Sequence, residues 1–187
     1  MSTTETLATG ARLTPETFAD FIQRLEHHHR GAGVKWHHTA DPIFTVQKHH
    51  TIYGLDLDYA DGRFVALEDR VWFSPQEYWN DLEQEEREAI NADCLENHET
   101  PFTSLDEDDQ WSMLESFDDH TVSGYRREWQ FLNAHLTKEA AEAFIARKQH
   151  DYPPLRVYVE SMYFGWEYKE LIAALLDGRL VLVEKTQ

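Results

Sequence analysis

Val71-Trp72-Phe73-Ser74-Pro75-Gln76-Glu77-Tyr78-Trp79 is where one chain pattern gives way to another. Its first three residues read as a short apolar strand. Ser74 and Glu77 then stand at capping-box spacing, in which each side chain accepts the other residue's backbone N–H. Pro75 falls at the first helical position, where a missing N–H costs nothing. Phe73 and Tyr78 are spaced to staple the helix entry. Strand ends and helix begins here, and the chain on either side extends the same contrast.

Upstream, Thr51–Tyr59 alternates Tyr53, Leu55, Leu57 and Tyr59 with Gly54, Asp56 and Asp58, the period of a strand with one buried and one wet face. Ile43–Gln47 reads as a preceding strand, with a hairpin turn at His49-His50. Asp61-Gly62 is a turn signal, and Phe64–Leu67 and Val71–Phe73 complete a meander. Before it, Thr14 caps a helix with Pro15 at N1 and Phe18, Phe21, Ile22 and Leu25 on one face. Gly31 and Gly33 end that helix. Residues 1–12 read as a flexible leader.

Downstream, the helix opened at Ser74 is predicted to run to about Asn97. A second helix starts with the capping box Ser104-Leu105-Asp106-Glu107 and carries Trp111, Leu114 and Phe117. Tyr125–Leu136 alternates as a strand, with Tyr125, Arg127, Trp129 and Phe131 on one face. Thr137 caps a helix with Ala141, Phe144 and Ile145 inward, and Leu155–Val159 is another strand. Tyr168, Leu171, Ile172, Leu175 and Leu176 define a last helix closed by Gly178. The expected fold class is α+β: an antiparallel or mixed sheet with flanking helices and an acidic two-helix insertion. Residues 13–187 are expected to form one domain, with the acidic helical segment at about 74–120.

A chain of 187 residues can bury a core without disulfide or metal staples, and 13 % aromatic content is too rich for a disordered protein. Cys94 is the single cysteine, so no disulfide forms within the chain. Met1–Glu5 lacks the basic start of a signal peptide, and no apolar run approaches the roughly 20 residues that span a bilayer. A cytoplasmic protein without membrane contact is expected. The net charge of −18 argues against direct binding to nucleic acid and leaves basic protein surfaces as partners.

That charge is regional. Glu77–Asp119 holds sixteen Asp or Glu and one base, Arg87, a net −15 of the −18. Glu83-Gln84-Glu85-Glu86-Arg87-Glu88 has few oppositely charged neighbours at i+4, so its charges mostly repel. Two readings follow. The acids are a solvated face over aromatic residues that belong to the core, or they form an interface with aromatic anchors. On the second reading the partner-contacting residues are Trp79, Glu83, Glu85, Glu86, Glu88, Asp106, Asp108, Asp109 and Trp111. Their carboxylates would imitate the phosphate rails of a nucleic acid.

Other clusters point elsewhere. Seven histidines fall between His27 and His50, and a zinc site from His27 or His28 with His37 or His38 is one reading. Neighbours such as His27-His28-His29 point in different directions, which favours exposed or core histidines. Asp56, Asp58 and Asp61 gather near a turn, where they offer oxygen ligands for Mg²⁺ or form a solvent-facing edge. No P-loop, G-x-S-x-G or H-E-x-x-H motif is present. Carboxylates around Cys94 raise a thiol's pKa, against a nucleophilic role. Asp118-Asp119-His120 has the look of a relay without a serine to complete it. No cofactor or metal is expected, and binding is favoured over catalysis.

Trp36-His37-His38-Thr39-Ala40-Asp41-Pro42-Ile43-Phe44-Thr45-Val46-Gln47 with Tyr53-Gly54-Leu55-Asp56, and Asn133–Ile145 with Leu155–Val159, resemble an uncharacterised group of small accessory proteins carried by bacteriophages, prophages and integrative elements. The resemblance spans about Trp36 to Tyr163. It implies action inside a bacterial cell, near genes that handle host defences, and it brings no catalytic residues. Joined to the charge pattern, it leads to an expected inhibitor of a host nucleic-acid-handling complex, acting through an acidic, nucleic-acid-mimicking surface. A metal-dependent enzyme and a structural or regulatory module are the alternatives.

Overall fold

In the computed structural model, residues 5–183 are described. Helices α1 (Pro15–His29) and α2 (Val34–His37) precede strand β1 (Pro42–Leu55), then β2 (Gly62–Leu67) and β3 (Arg70–Trp72). Helices α3 (Pro75–Asp81), α4 (Gln84–His98) and α5 (Glu107–Glu115) follow, and β4 (Thr121–His135), α6 (Lys138–Lys148), β5 (Leu155–Ser161) and α7 (Trp166–Leu176) complete the described chain. The five strands share one sheet in the order β3-β2-β4-β1-β5. The β1–β5, β2–β3 and β2–β4 ladders are antiparallel. The class is α+β, with strands from both sides of the acidic segment in the same sheet.

The chain groups into two compact units, where the sequence reads as one domain. Unit 1 is residues 1–50 with 129–187, unit 2 is residues 51–128, and the boundaries fall within β1 and β4.

In unit 1, Phe44 opposes Val159 and Val46 opposes Val157. Phe44, Val46 and Ala141 are fully buried, and Phe144, Ile145, Val157 and Val159 pack around them. Helix α6 therefore buries the face its spacing predicts, and Thr137 caps it by accepting from the Ala140 N–H at 3.4 Å. After α7, Gly178 takes φ +69°, and Arg179 N–H donates to Ala174 O at 2.8 Å, a turn that favours a residue without Cβ. Of the expected leader, residues 1–4 lie outside the described residues. Leu7–Thr9 forms a 3-10 turn packed on α6, and Thr6 is buried.

The core of unit 2 is larger. Val65, Trp72, Tyr78, Leu82, Ile90, Cys94, Phe102, Trp111, Met113 and Leu114 are all buried in one cluster. Half of the predicted Ser74 box forms: Ser74 Oγ accepts from Glu77 N–H at 3.1 Å, but the Glu77 carboxylate reaches one residue further back and accepts from Phe73 N–H at 2.9 Å instead of from Ser74 N–H.

Four local expectations are corrected. There is no hairpin at His49-His50, because β1 runs through both residues as one 14-residue strand. Leu57–Tyr59 is a 3-10 turn capped by Asp56, whose carboxylate accepts from Asp58 N–H at 3.1 Å. The helix expected to reach Asn97 breaks at Leu82, which turns extended (ψ 146°) and buries its side chain. The acidic segment thus carries three helices, not two. Finally, Asp106 rather than Ser104 caps α5, accepting from Asp109 N–H at 2.9 Å, because Ser104 is taken into a 3-10 turn at Phe102–Ser104.

Candidate interaction surface

All sixteen carboxylate residues from Glu77 to Asp119 are exposed. Unit 2 as a whole holds twenty-two Asp or Glu and five Arg, a net −17, whereas unit 1 holds thirteen acids and twelve bases, a net −1. The boundary read from the fold thus also divides the charge. The helices achieve this by sending their apolar residues inward and their acids outward.

The expected contact residues fall into distinct roles. Glu86 accepts from Glu83 N–H at 2.7 Å, which starts α4 after the break. Glu88 accepts from the Gln84 side chain at 2.8 Å. Asp108 lies 3.5 Å from Arg63, a weak exposed pair. Glu85 has no side-chain partner among the described residues. Arg87, the one base of the segment, donates to the carbonyls of Trp79 and Asn80 at 3.0 and 2.9 Å, closing the end of α3. Its guanidinium is held there rather than beside the acids.

The two tryptophans differ in exposure. Trp111 is 4 % exposed and belongs to the core, so it is unable to anchor a partner. Trp79 is half-buried, stacked on Phe102 with centroids 5.2 Å apart. Among the expected residues, the exposed surface is therefore carboxylate without its aromatic anchors.

The fragment Asp118-Asp119-His120 does join a chain of hydrogen bonds. His120 Nδ1 lies 2.6 Å from Asp119 Oδ1, and His120 Nε2 lies 2.8 Å from the Tyr78 hydroxyl. Burial, reinforced by the charges of Glu86 and Asp119, pushes the Tyr78 hydroxyl up to about 12. The Asp119 carboxylate only accepts, so His120 Nδ1–H donates to it while Nε2 meets the Tyr78 hydroxyl. The ring and hydroxyl open onto a pocket of about 250 Å³ walled by Leu67, Leu82, Ile90 and Phe117, with Glu86, Asp93 and Asp119 also lining it. Nothing in the sequence marks this pocket, because its walls come from four separate elements and loops. Burial, then Asp93, raises the Cys94 thiol.

The other clusters do not converge. His28 is buried against Phe44, ring centroids 4.8 Å apart, with Nε2 3.2 Å from a Glu139 oxygen. His37 Nδ1 accepts from Thr39 N–H at 2.9 Å, so its Nε2–H donates to His28 O at 3.1 Å. Both nitrogens of His37 are thereby committed. Asp61 accepts from Arg127 N–H at 2.7 Å, while Asp56 caps its turn. Among the described residues, no group of three or more His, Cys, Asp or Glu side chains is arranged to hold a metal ion. A larger groove in unit 1, about 570 Å³, has charged walls, in which Arg24 holds both oxygens of Asp20 at 2.8 and 3.0 Å. Unit 1 also exposes Tyr163, Phe164 and Trp166 at the turn into α7, with Lys169 Nζ 4.6 Å over the Tyr163 ring. Their only signal in the sequence is an aromatic run outside any helical period.

No described helix is long and apolar enough to cross a membrane. Compared with protein-family models, curated proteins and solved structures, the chain has no match.

Proposed function

We propose that this chain is a binding protein whose acidic unit docks on the basic, nucleic-acid-binding surface of a host protein complex and so blocks it. The reading draws on one observation above the rest: all sixteen acids of Glu77–Asp119 face solvent, and the single base among them is occupied at the end of a helix. Like charges gathered without counter-charges weaken the fold that carries them. A basic groove supplies the missing counter-charges, and docking there occupies the site a nucleic acid would use. The bacterial and mobile-element setting comes from the resemblance of Trp36–Tyr163 and is part of the proposal. Asp106, Asp108, Asp109, Glu83, Glu85, Glu86 and Glu88 are the contacts it assigns.

The test is capture from bacterial lysate on the immobilised full chain, at low and then at high ionic strength. Nucleic-acid-binding proteins should be retained at low salt, released at high salt, and displaced by added DNA. Retention that DNA does not displace, or no such protein retained, sinks the reading.

A further inference from the structure

The pocket beside Tyr78 and His120 combines two properties that select one kind of occupant. Its walls are apolar side chains, among them Leu82, Ile90 and Phe117. Glu86, Asp93 and Asp119 also line it, and no Lys or Arg does. Each carboxylate keeps acceptor capacity. Glu86 uses one oxygen on Glu83 N–H and Asp119 uses one on His120, while the Asp93 carboxylate has no hydrogen-bond partner among the described residues. An apolar ligand alone would leave the carboxylates unused, and a bare cation would leave the walls wet. A lysine side chain satisfies both, since its methylene stem covers apolar surface and its ammonium carries three donors. An arginine fork suits a single carboxylate in plane, whereas carboxylates from separate positions suit a point charge.

We propose that this pocket receives one lysine side chain of the basic partner, stem against Leu82, Ile90 and Phe117 and ammonium on the unpartnered Asp93 carboxylate, in the negative field of Glu86 and Asp119. The inference rests on the acidic-surface reading and deepens it. The exposed acids attract any basic surface, and the pocket selects the one that presents a lysine at the right place. It takes the part of the anchor that Trp111, buried in the core, does not supply.

The probes are three small molecules titrated into the full chain, followed by methyl and ring NMR shifts of Leu82, Ile90, Phe117 and His120. Pentylammonium has stem and charge, pentanol the stem alone, and methylammonium the charge alone. Pentylammonium should saturate these shifts with at least tenfold higher affinity than either control. Asp93→Asn should weaken it severalfold, and Ala89→Leu, at an exposed position lining the pocket, should block it. Equal binding of pentanol, equal binding of methylammonium, or indifference to both substitutions overturns the proposal. The two readings fail separately. Capture of a basic partner without pentylammonium selectivity removes the pocket and leaves the surface. Selective pentylammonium binding without capture leaves the pocket and removes the surface.

Discussion

His29 shows how a single ring ties stability to pH. Its Nε2 is buried with no hydrogen-bond partner among the described residues, and burial brings its pKa from 6.5 down to about 4. Burial is also the first cause lowering His28, His37 and His135, all in unit 1. The folded pKa lies below the unfolded one, so the unfolded chain takes up the proton first. The stability is whole above pH 6.5 and is lost as pH falls toward 4. Allowing for partial exposure, His29 alone should cost about 1–2 kcal/mol by pH about 5. Denaturant midpoints measured across this range should fall, and His29→Gln should flatten the slope. The sequence showed the histidine cluster but not its meaning. Proximity in the chain suggested metal ligands, whereas burial against Phe44 and the committed nitrogens of His37 are tertiary facts.

Elements were legible where their ends carry local chemistry. Thr14, Ser74 and Thr137 each cap the helix they were read to cap. Ser74→Ala should therefore destabilise the protein by about 1 kcal/mol, measured by denaturant unfolding, because Glu77 N–H loses its acceptor. Glu77→Gln, which keeps an acceptor for Phe73 N–H, should cost less than Glu77→Ala. The break at Leu82 was not legible. Glu83-Gln84-Glu85-Glu86 are good helix formers, and local propensity carries α3 straight through them. The chain turns because Leu82 is needed in the core with Ile90 and Tyr78, a demand no nearest-neighbour rule contains. The continuous β1 differs from the expected hairpin for the opposite reason. His49-His50 is no turn signal, since residues 47–52 hold no Gly, Pro, Asn or Asp to make one.

At the scale of the molecule, counting charge along the sequence located the acidic segment. It did not locate the units, since their boundaries lie inside two strands and no linker marks them. The separation of −17 from −1 gives a prediction about charge itself. Glu85, Glu96, Glu99 and Glu107 are exposed and make no side-chain hydrogen bond or ion pair among the described residues. Converting all four to Gln should leave the fold intact and raise its thermal midpoint by relieving repulsion. Binding to a captured basic partner should weaken by about 1–4 kcal/mol in total, mostly through a slower association rate and a shallower dependence on salt. A lower thermal midpoint, or unchanged association kinetics, would show that these acids serve the fold and not a partner.

Unit 1 is built from two stretches of chain with the whole of unit 2 between them. On the ribosome this sets an order of events. Residues 51–128 emerge complete while unit 1 still lacks its second half, so the acidic unit is the first able to finish folding. The Thr45 hydroxyl, by contrast, awaits the carbonyl of Tyr158, 113 positions later. Until translation delivers β5, the nascent chain carries Phe44 and Val46 without the strand that covers them. During that interval the finished half keeps the emerging polypeptide strongly anionic, a charge that opposes close association of unfinished chains.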